Sequence, residues 1–328
     1  MNKQEEKSTL RMVYKETDYP IQEDKCERPD FILKDTSGIS FGVEITEYFN
    51  SESAARLIKV PNYTDRLLSD DIPEENKYIH KKDKKILKLD TLTFMNEDGS
   101  VKFEAKGIIE ENQPRAQYLD SIVKTIQAKS EKGKSYNSNL THVDLIIYDR
   151  SGSFGLENLE YFYEAFYTPS IVSALQDSIF KEISIIISHK EDKYFVRLKE
   201  YLLLSRIYLF LFFYDEMAIE VIHKRTILQF IIDLLYCLDK DGFKDVGVNF
   251  ADNKFEIFYG GTGFEIIEDT QLNMVVKRYN FSKSPMHPNI ADFLQYVQIL
   301  PDESLFQNYN DYLRVKAFKC NCAILCHK

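Results

Sequence analysis

Two short apolar segments joined by a polar turn, within residues 27–46, constrain the fold of this chain more than any other feature. The first segment follows a proline and carries Asp30, and the second carries Glu44. The polar run between them ends in Gly38, which is typical of a strand, a turn and a second strand. Pairing the strands across this turn is predicted to place Asp30 and Glu44 at about the same level of a sheet.

Successive side chains of a strand point to opposite faces, so Glu44 is predicted to share its face with Gly42 and Thr46. Because Gly42 has no side chain, we expect room beside Glu44. Two carboxylates held close together repel each other unless a cation lies between them. A hard divalent ion that prefers oxygen ligands, Mg²⁺ or Mn²⁺, suits such a site.

The pattern Pro29-Asp30, a spacer and Glu44-Ile45 resembles the core motif of the PD-(D/E)XK, or restriction endonuclease-like, nuclease superfamily. That motif ends in Lys, and Thr46 stands at the Lys position here. The resemblance implies a metal-dependent endonuclease that hydrolyses phosphodiesters, with DNA favoured over RNA, in restriction or anti-phage defence. An ordinary hairpin with an exposed Asp and a solvated Glu is the alternative.

The same resemblance implies the residues of a metal site. Asp30 and Glu44 would be catalytic and would hold the metal, and the backbone carbonyl of Ile45 would be a further ligand. The first helix of these enzymes often supplies a Glu. Glu6 lies at the edge of the apolar stripe of a helix predicted over residues 3–15 and would take this role, unless it is an ordinary surface residue.

A second helix is predicted over residues 114–132, opened by a proline. Lys129 continues its apolar stripe, and a Lys on the core side is unusual unless it reaches a carboxylate or a ligand. Superfamily members without the strand Lys can use a basic residue on the following helix, so Lys129 is the predicted catalytic replacement. Lys132 is the reserve, Arg115 and Gln117 are weaker candidates, and extension of Lys129 into water is the alternative.

A long polar insertion at about residues 50–113 contains the most basic stretch of an otherwise acidic protein. The net charge of −10 argues against non-specific coating of nucleic acid but leaves room for a local basic groove. A solvated charged helix is the alternative for the basic stretch. The lysines predicted to contact phosphates are Lys81, Lys82, Lys84, Lys85 and Lys132.

The order of strands and helices predicts an α/β fold: a restriction endonuclease-like mixed β-sheet flanked by helices over residues 1–215. Residues 182–188, 194–198 and 206–214 are predicted as its later strands. Residues 216–328 are predicted to form a small C-terminal α+β appendage of unknown role.

No signal peptide and no run long enough to span a bilayer is recognisable, so a cytoplasmic location without membrane contact is predicted. The cysteines are expected to be free thiols, with zinc binding in the tail as the lesser alternative (Cys320, Cys322, Cys326 and His327). Two rival functions stay open: a catalytically inactive nuclease-like binding module, or a subunit that binds a protein partner through its C-terminal domain. A homo-oligomer is also compatible with the sequence.

Overall fold

The computed structural model describes residues 1–23, 28–69, 78–80, 82–83, 87–109, 113–136, 139–152, 165–189, 192–221, 227–251, 254–260, 262–268, 274–280, 285–297 and 303–315. The strands are β1 Ile21–Glu23, β2 Phe31–Lys34, β3 Ser40–Tyr48, β4 Lys88–Met95, β5 Val101–Ile109, β6 Val143–Asp149, β7 Ile183–His189, β8 Asp192–Arg197, β9 Gly247–Ala251, β10 Lys254–Tyr259, β11 Thr262–Glu268 and β12 Met274–Asn280. The helices are α1 Lys3–Val13, α2 Glu52–Lys59, α3 Tyr63–Leu68, α4 Arg115–Gly133, α5 Pro169–Asp177, α6 Leu198–Val221, α7 Ile227–Lys240, α8 Ile290–Val297 and α9 Glu303–Val315.

The main sheet has six strands in the order β1-β2-β3-β6-β7-β8. Strands β3, β6 and β7 are parallel to one another, and the remaining neighbours are antiparallel. Every residue of β6 is buried, as expected of a central strand covered on both faces. The predicted α/β class, with a mixed sheet flanked by helices, is therefore confirmed.

The alternation of β3 divides its side chains between two apolar layers. Phe41 and Val43 pack with Leu10 and Val13 of α1 on one face of the sheet. The opposite face of the sheet is covered by apolar residues of α4, α5 and α6. The residues of β3 that alternate with Phe41 and Val43, including Glu44, therefore lie on the face covered by α4.

The predicted strand over residues 206–214 is wrong, because these residues lie within helix α6. Ile207, Phe210 and Phe213 are all buried in the larger core. A helix that is apolar on nearly all sides lacks the periodicity that separates a helix from a buried strand in a short sequence window.

The chain after α6 continues into α7, a four-stranded antiparallel sheet and two short helices. The sheet order is β12-β11-β10-β9, and β9 pairs antiparallel with β10. The predicted boundary between residues 215 and 216 falls inside α6, and Phe210 and Phe230 pack in one core with ring centroids 5.5 Å apart.

The predicted insertion contributes α2, α3 and the β4–β5 hairpin. Asp83, within the basic stretch, is buried and accepts two hydrogen bonds of 2.6 and 2.7 Å from Arg56, which hold its pKa well below the ordinary value. Ser53 and Tyr63 also donate to this carboxylate. Among the described residues, no helix combines the length and apolar character needed to cross a membrane.

Candidate functional site

The β2–β3 hairpin positions the two acidic residues. Phe31 lies opposite Val43 in this antiparallel pair, and continuing the register by one residue places Asp30 opposite Glu44. Asp30 precedes β2 directly, and its Oδ2 accepts a hydrogen bond of 2.7 Å from the backbone N–H of Ile45. The side chain of Asp30 is therefore tied to β3 beside Glu44, at the level that the sequence predicts.

Helix α4 brings Lys129 to the same place. The Lys129 Nζ lies 2.7 Å from Glu44 Oε1, and the two side chains are 20% and 10% exposed. Ile122 and Ile126 on the same stripe of the helix are fully buried. The stripe therefore presses α4 onto the sheet and directs the ammonium group of Lys129 to Glu44.

Two polar atoms at this site are buried without a hydrogen-bond partner among the described residues: Glu44 Oε2 and the hydroxyl of Tyr136. The two atoms adjoin each other: burial raises the pKa of Tyr136, and the negative charge of Glu44 and the contact of the hydroxyl with that carboxylate raise it further. Such atoms are costly to leave unsatisfied, so a site that contains them has unused capacity for a ligand or a water. Tyr136 was missed from the sequence, because it lies beyond the end of α4 in a polar segment with no periodic signal.

The electrostatics of Asp30 show that negative charge is concentrated here. Burial raises the pKa of the Asp30 carboxyl to about 6, against the lowering effect of the hydrogen bond from Ile45. The charges of Glu44 and Glu6 also raise this pKa, and Lys3 lowers it. A cation placed between these carboxylates would relieve the repulsion.

The first turn of α1 closes over Asp30. Lys3 Nζ donates a hydrogen bond of 2.7 Å to the backbone carbonyl of Asp30 and lies 3.3 Å from Glu6 Oε2. The structure thus brings Glu6 close enough to Asp30 to affect its pKa, with Lys3 as the ion-pair partner of Glu6.

The sequence predicted open space beside Glu44, and this prediction is wrong for the space next to Gly42. A Cβ atom at Gly42 would lie 2.5 Å from Pro29 Cγ and 3.0 Å from Leu140 Cδ1. Gly42 is therefore needed because Pro29 and Leu140 already fill the space above it. The sequence shows that the residue is small, but it does not show that Pro29 and Leu140 pack onto it.

The predicted phosphate-contacting lysines are placed only in part. Lys132 is exposed on α4 and Lys82 is exposed in the insertion, while Lys81, Lys84 and Lys85 lie outside the described residues. Arg115, a weaker candidate, donates a hydrogen bond of 2.8 Å to the carbonyl of Ala165. The structure therefore brings Lys129, and neither Lys132 nor Arg115, into contact with Glu44.

The residues at the site suit a hard divalent ion by their chemistry. Asp30 and Glu44 supply carboxylate oxygens, one of them the buried Glu44 Oε2. The Ile45 carbonyl points to the same strand edge as the Ile45 N–H that binds Asp30, since both groups of one residue face one edge. Oxygen ligands of this kind favour Mg²⁺ or Mn²⁺. Within the described ranges, no group of three or more His, Cys, Asp or Glu residues is arranged to hold a metal.

No protein-family model matches this chain, and the searches of curated proteins and of solved structures found no significant match.

Proposed function

We propose that this chain is a Mg²⁺- or Mn²⁺-dependent phosphodiester hydrolase, an endonuclease that acts on DNA. One observation carries the proposal: Lys129 Nζ lies 2.7 Å from Glu44, beside Asp30 at the same level of the sheet. This arrangement supplies two carboxylates and an amine at one place, although Thr46 stands at the motif position for Lys.

The roles follow from the positions of the groups. Asp30, Glu44 and the carbonyl of Ile45 would hold the ion. When bound, the ion stabilises charge on the phosphate and lowers the pKa of a water molecule at the site. Lys129 would orient the attacking water or neutralise the scissile phosphate, because its Nζ already lies beside Glu44. Exposed Lys132 and Lys82 would contact the phosphate backbone.

The test is cleavage of supercoiled plasmid by the purified chain with Mg²⁺ or Mn²⁺, beside Asp30→Ala, Glu44→Ala and Lys129→Met variants. We expect metal-dependent nicking that the two carboxylate variants lose and Lys129→Met slows about a hundredfold or more. Lys124→Met is the matched control, because Lys124 lies on α4 with a 72% exposed side chain. Equal cutting by all variants would point to a contaminating nuclease and refute the proposal. Single-stranded RNA in the same assay decides between DNA and RNA.

A non-catalytic binding module is the second candidate, and the Lys129–Glu44 ion pair favours it. The ammonium group already balances the charge of Glu44, so the site can be stable without a metal. Calorimetric titration with Mn²⁺ distinguishes the two functions. Binding that requires Asp30 and Glu44 supports the hydrolase, and the absence of any metal binding supports the module.

The biological setting is proposed from the resemblance alone. Restriction or anti-phage defence would fit an endonuclease with a separate partner-binding region, and the part of the chain from α7 to α9 would supply that region. Co-purification with the full chain, compared with a chain that carries Glu44→Ala, tests for a partner independently of catalysis.

A further inference from the structure

The β4–β5 hairpin has one apolar face that no described element covers. Phe94 and Phe103 stack across its two strands with ring centroids 4.3 Å apart. Leu92, Phe94 and Phe103 are 52%, 44% and 48% exposed. Leu92 lies opposite Ala105 in the same register, so it joins the two rings on one face.

Within the described residues this sheet has only two strands, and each has an edge without a strand neighbour. An isolated two-stranded hairpin is marginally stable in water, and an apolar face with open edges favours pairing with another strand. The base of the hairpin faces α3 across a small cleft, whose lining includes Leu67, Leu89 and the exposed Lys106. Leu92, Phe94 and Phe103 do not line this cleft and are exposed.

The charges of the hairpin disfavour nucleic acid as the partner. Residues 88–109 contain the lysines Lys88, Lys102 and Lys106 and the acidic residues Asp90, Glu97, Asp98 and Glu104. This slight excess of negative charge would be repelled by phosphates, whose contacts depend on clustered Lys and Arg. A protein strand with alternating charges suits it better.

The sequence of β5 is complementary to itself in antiparallel register. If Ala105 lies on a twofold axis, Glu104 of one copy falls opposite Lys106 of the other, and each pair occurs twice. In the same register Phe103 falls opposite Gly107, which leaves space for the ring. Opposite charges that face each other across strands stabilise a sheet.

We propose that β5 pairs with β5 of a second copy of this chain about a twofold axis at Ala105. The product is a four-stranded antiparallel sheet in the order β4-β5-β5-β4, with the Leu92, Phe94 and Phe103 side chains of both copies on one face. This interface is isologous, as a twofold dimer requires. It does not depend on the proposed nuclease activity.

Cysteine cross-linking tests the register in the full chain. In Ala105→Cys, the two Cβ atoms would lie about 5 Å apart, close enough for a disulfide after minor adjustment. Leu92→Cys is the matched control, because the two copies of this residue would be about 14 Å apart across three strand spacings. We expect a covalent dimer, reversible by reductant, from Ala105→Cys only, with the native chain as a control for its own cysteines.

Charge exchange tests the pairing. Glu104→Lys or Lys106→Glu places like charges opposite each other twice, and we expect each to weaken dimerisation about tenfold or more in sedimentation velocity. The double exchange E104K/K106E should restore the dimer. Unchanged thermal unfolding would show that the variants fold. A native chain that stays monomeric at all concentrations, or a disulfide from Leu92→Cys instead, would overturn the proposal.

Discussion

The two faces of the main sheet each carry a pair of carboxylates, and the pairs differ in burial and in how their oxygens are satisfied. On the face covered by α1, Asp144 and Glu182 are both buried. On the face covered by α4, the pair is Asp30 and Glu44. Each pair has a basic residue nearby, Arg197 for the first and Lys129 for the second.

The carboxylates of Asp144 and Glu182 accept hydrogen bonds from backbone N–H groups and from one tyrosine. Glu182 accepts hydrogen bonds from the N–H groups of Ile183, Lys199 and Glu200 at 2.8, 2.9 and 3.0 Å. The last two donors lie in the first turn of α6, where a carboxylate also suits the helix dipole. Asp144 accepts from the N–H of Glu182 and from the hydroxyl of Tyr14.

Hydrogen bonding of the second pair is incomplete, because Glu44 Oε2 and the hydroxyl of Tyr136 make no well-formed hydrogen bond in the described chain. Burial raises the pKa of Asp30 to about 6 and that of Glu182 to about 7, so a raised pKa does not separate the two pairs. The comparison teaches that buried charge alone does not mark a functional site. Carboxylates that receive several backbone donors stabilise the fold, while those with unsatisfied oxygens keep capacity for a ligand.

The largest expected difference between the pairs is in stability. Glu182→Ala would leave three backbone N–H groups without an acceptor, and we expect a loss of about 3–5 kcal/mol in the free energy of unfolding. Glu44→Ala should cost less, about 1–2 kcal/mol, because Lys129, whose side chain is 20% exposed, loses its ion-pair partner and Tyr136 loses a contact. Urea unfolding of both variants measures this, and equal losses would remove the distinction.

Lys129→Met sharpens the comparison by removing the cation beside Glu44. The carboxylate would stay buried without a counter-charge, at a cost of about 2 kcal/mol near neutral pH. Added Mg²⁺ should recover most of this loss, because a divalent ion replaces the missing positive charge. Lys124 is exposed, so Lys124→Met should change neither the stability without Mg²⁺ nor the gain on adding Mg²⁺. If Mg²⁺ has no effect on thermal unfolding of Lys129→Met, the site does not bind the ion.

Tyr14 and Tyr136 allow a matched test of how well each carboxylate pair is hydrogen-bonded. Tyr14→Phe removes the donor to Asp144, and we expect a loss of about 1.5 kcal/mol because the hydrogen bond is to a buried carboxylate. Tyr136→Phe removes a hydroxyl that adjoins Glu44 without a well-formed hydrogen bond in the described chain, so we expect a smaller loss, below about 1 kcal/mol. A large loss from Tyr136→Phe would reveal a partner, such as an ordered water.

The smallest expected effect is the pH dependence of Asp30. Its pKa rises from the ordinary 3.8 to about 6, so the folded protein disfavours the charged form. Stability from this group is full below the ordinary pKa and is lost as pH rises through the folded pKa. Asp30→Asn should therefore gain about 1 kcal/mol over the native chain near neutral pH without divalent ions, and nothing in acid. Thermal unfolding of Asp30→Asn and the native chain from acid to neutral pH measures this gain in stability. An equal gain in acid and at neutral pH would contradict the raised pKa of Asp30.

Much of the main sheet was predictable from local patterns. The polar turn before Ile39 and the alternation from Phe41 to Ile45 predicted the hairpin, and its register then placed Asp30 level with Glu44. The stripe that ends in Lys129 predicted the face of α4 that meets the sheet. These features depend on the periods of a strand and a helix, which are local properties of the sequence.

Helix α6 shows where local patterns fail. Its residues are apolar on nearly every side, so neither period is visible, and its burial by α7 and α9 decides the helical form. Asp83 shows the same limit for a polar residue. It lies among lysines in sequence, but Arg56, Ser53 and Tyr63 bury and bind it.

The sequence by itself determined the hairpin, its two carboxylates and the helix face that carries an amine, because strand and helix periodicity act over a few residues. Only the tertiary structure decided that Pro29 and Leu140 fill the space above Gly42, and that Tyr136 meets Glu44 with its hydroxyl unsatisfied in the described chain. Contacts between segments far apart in sequence depend on how whole elements pack, and no local period encodes that packing.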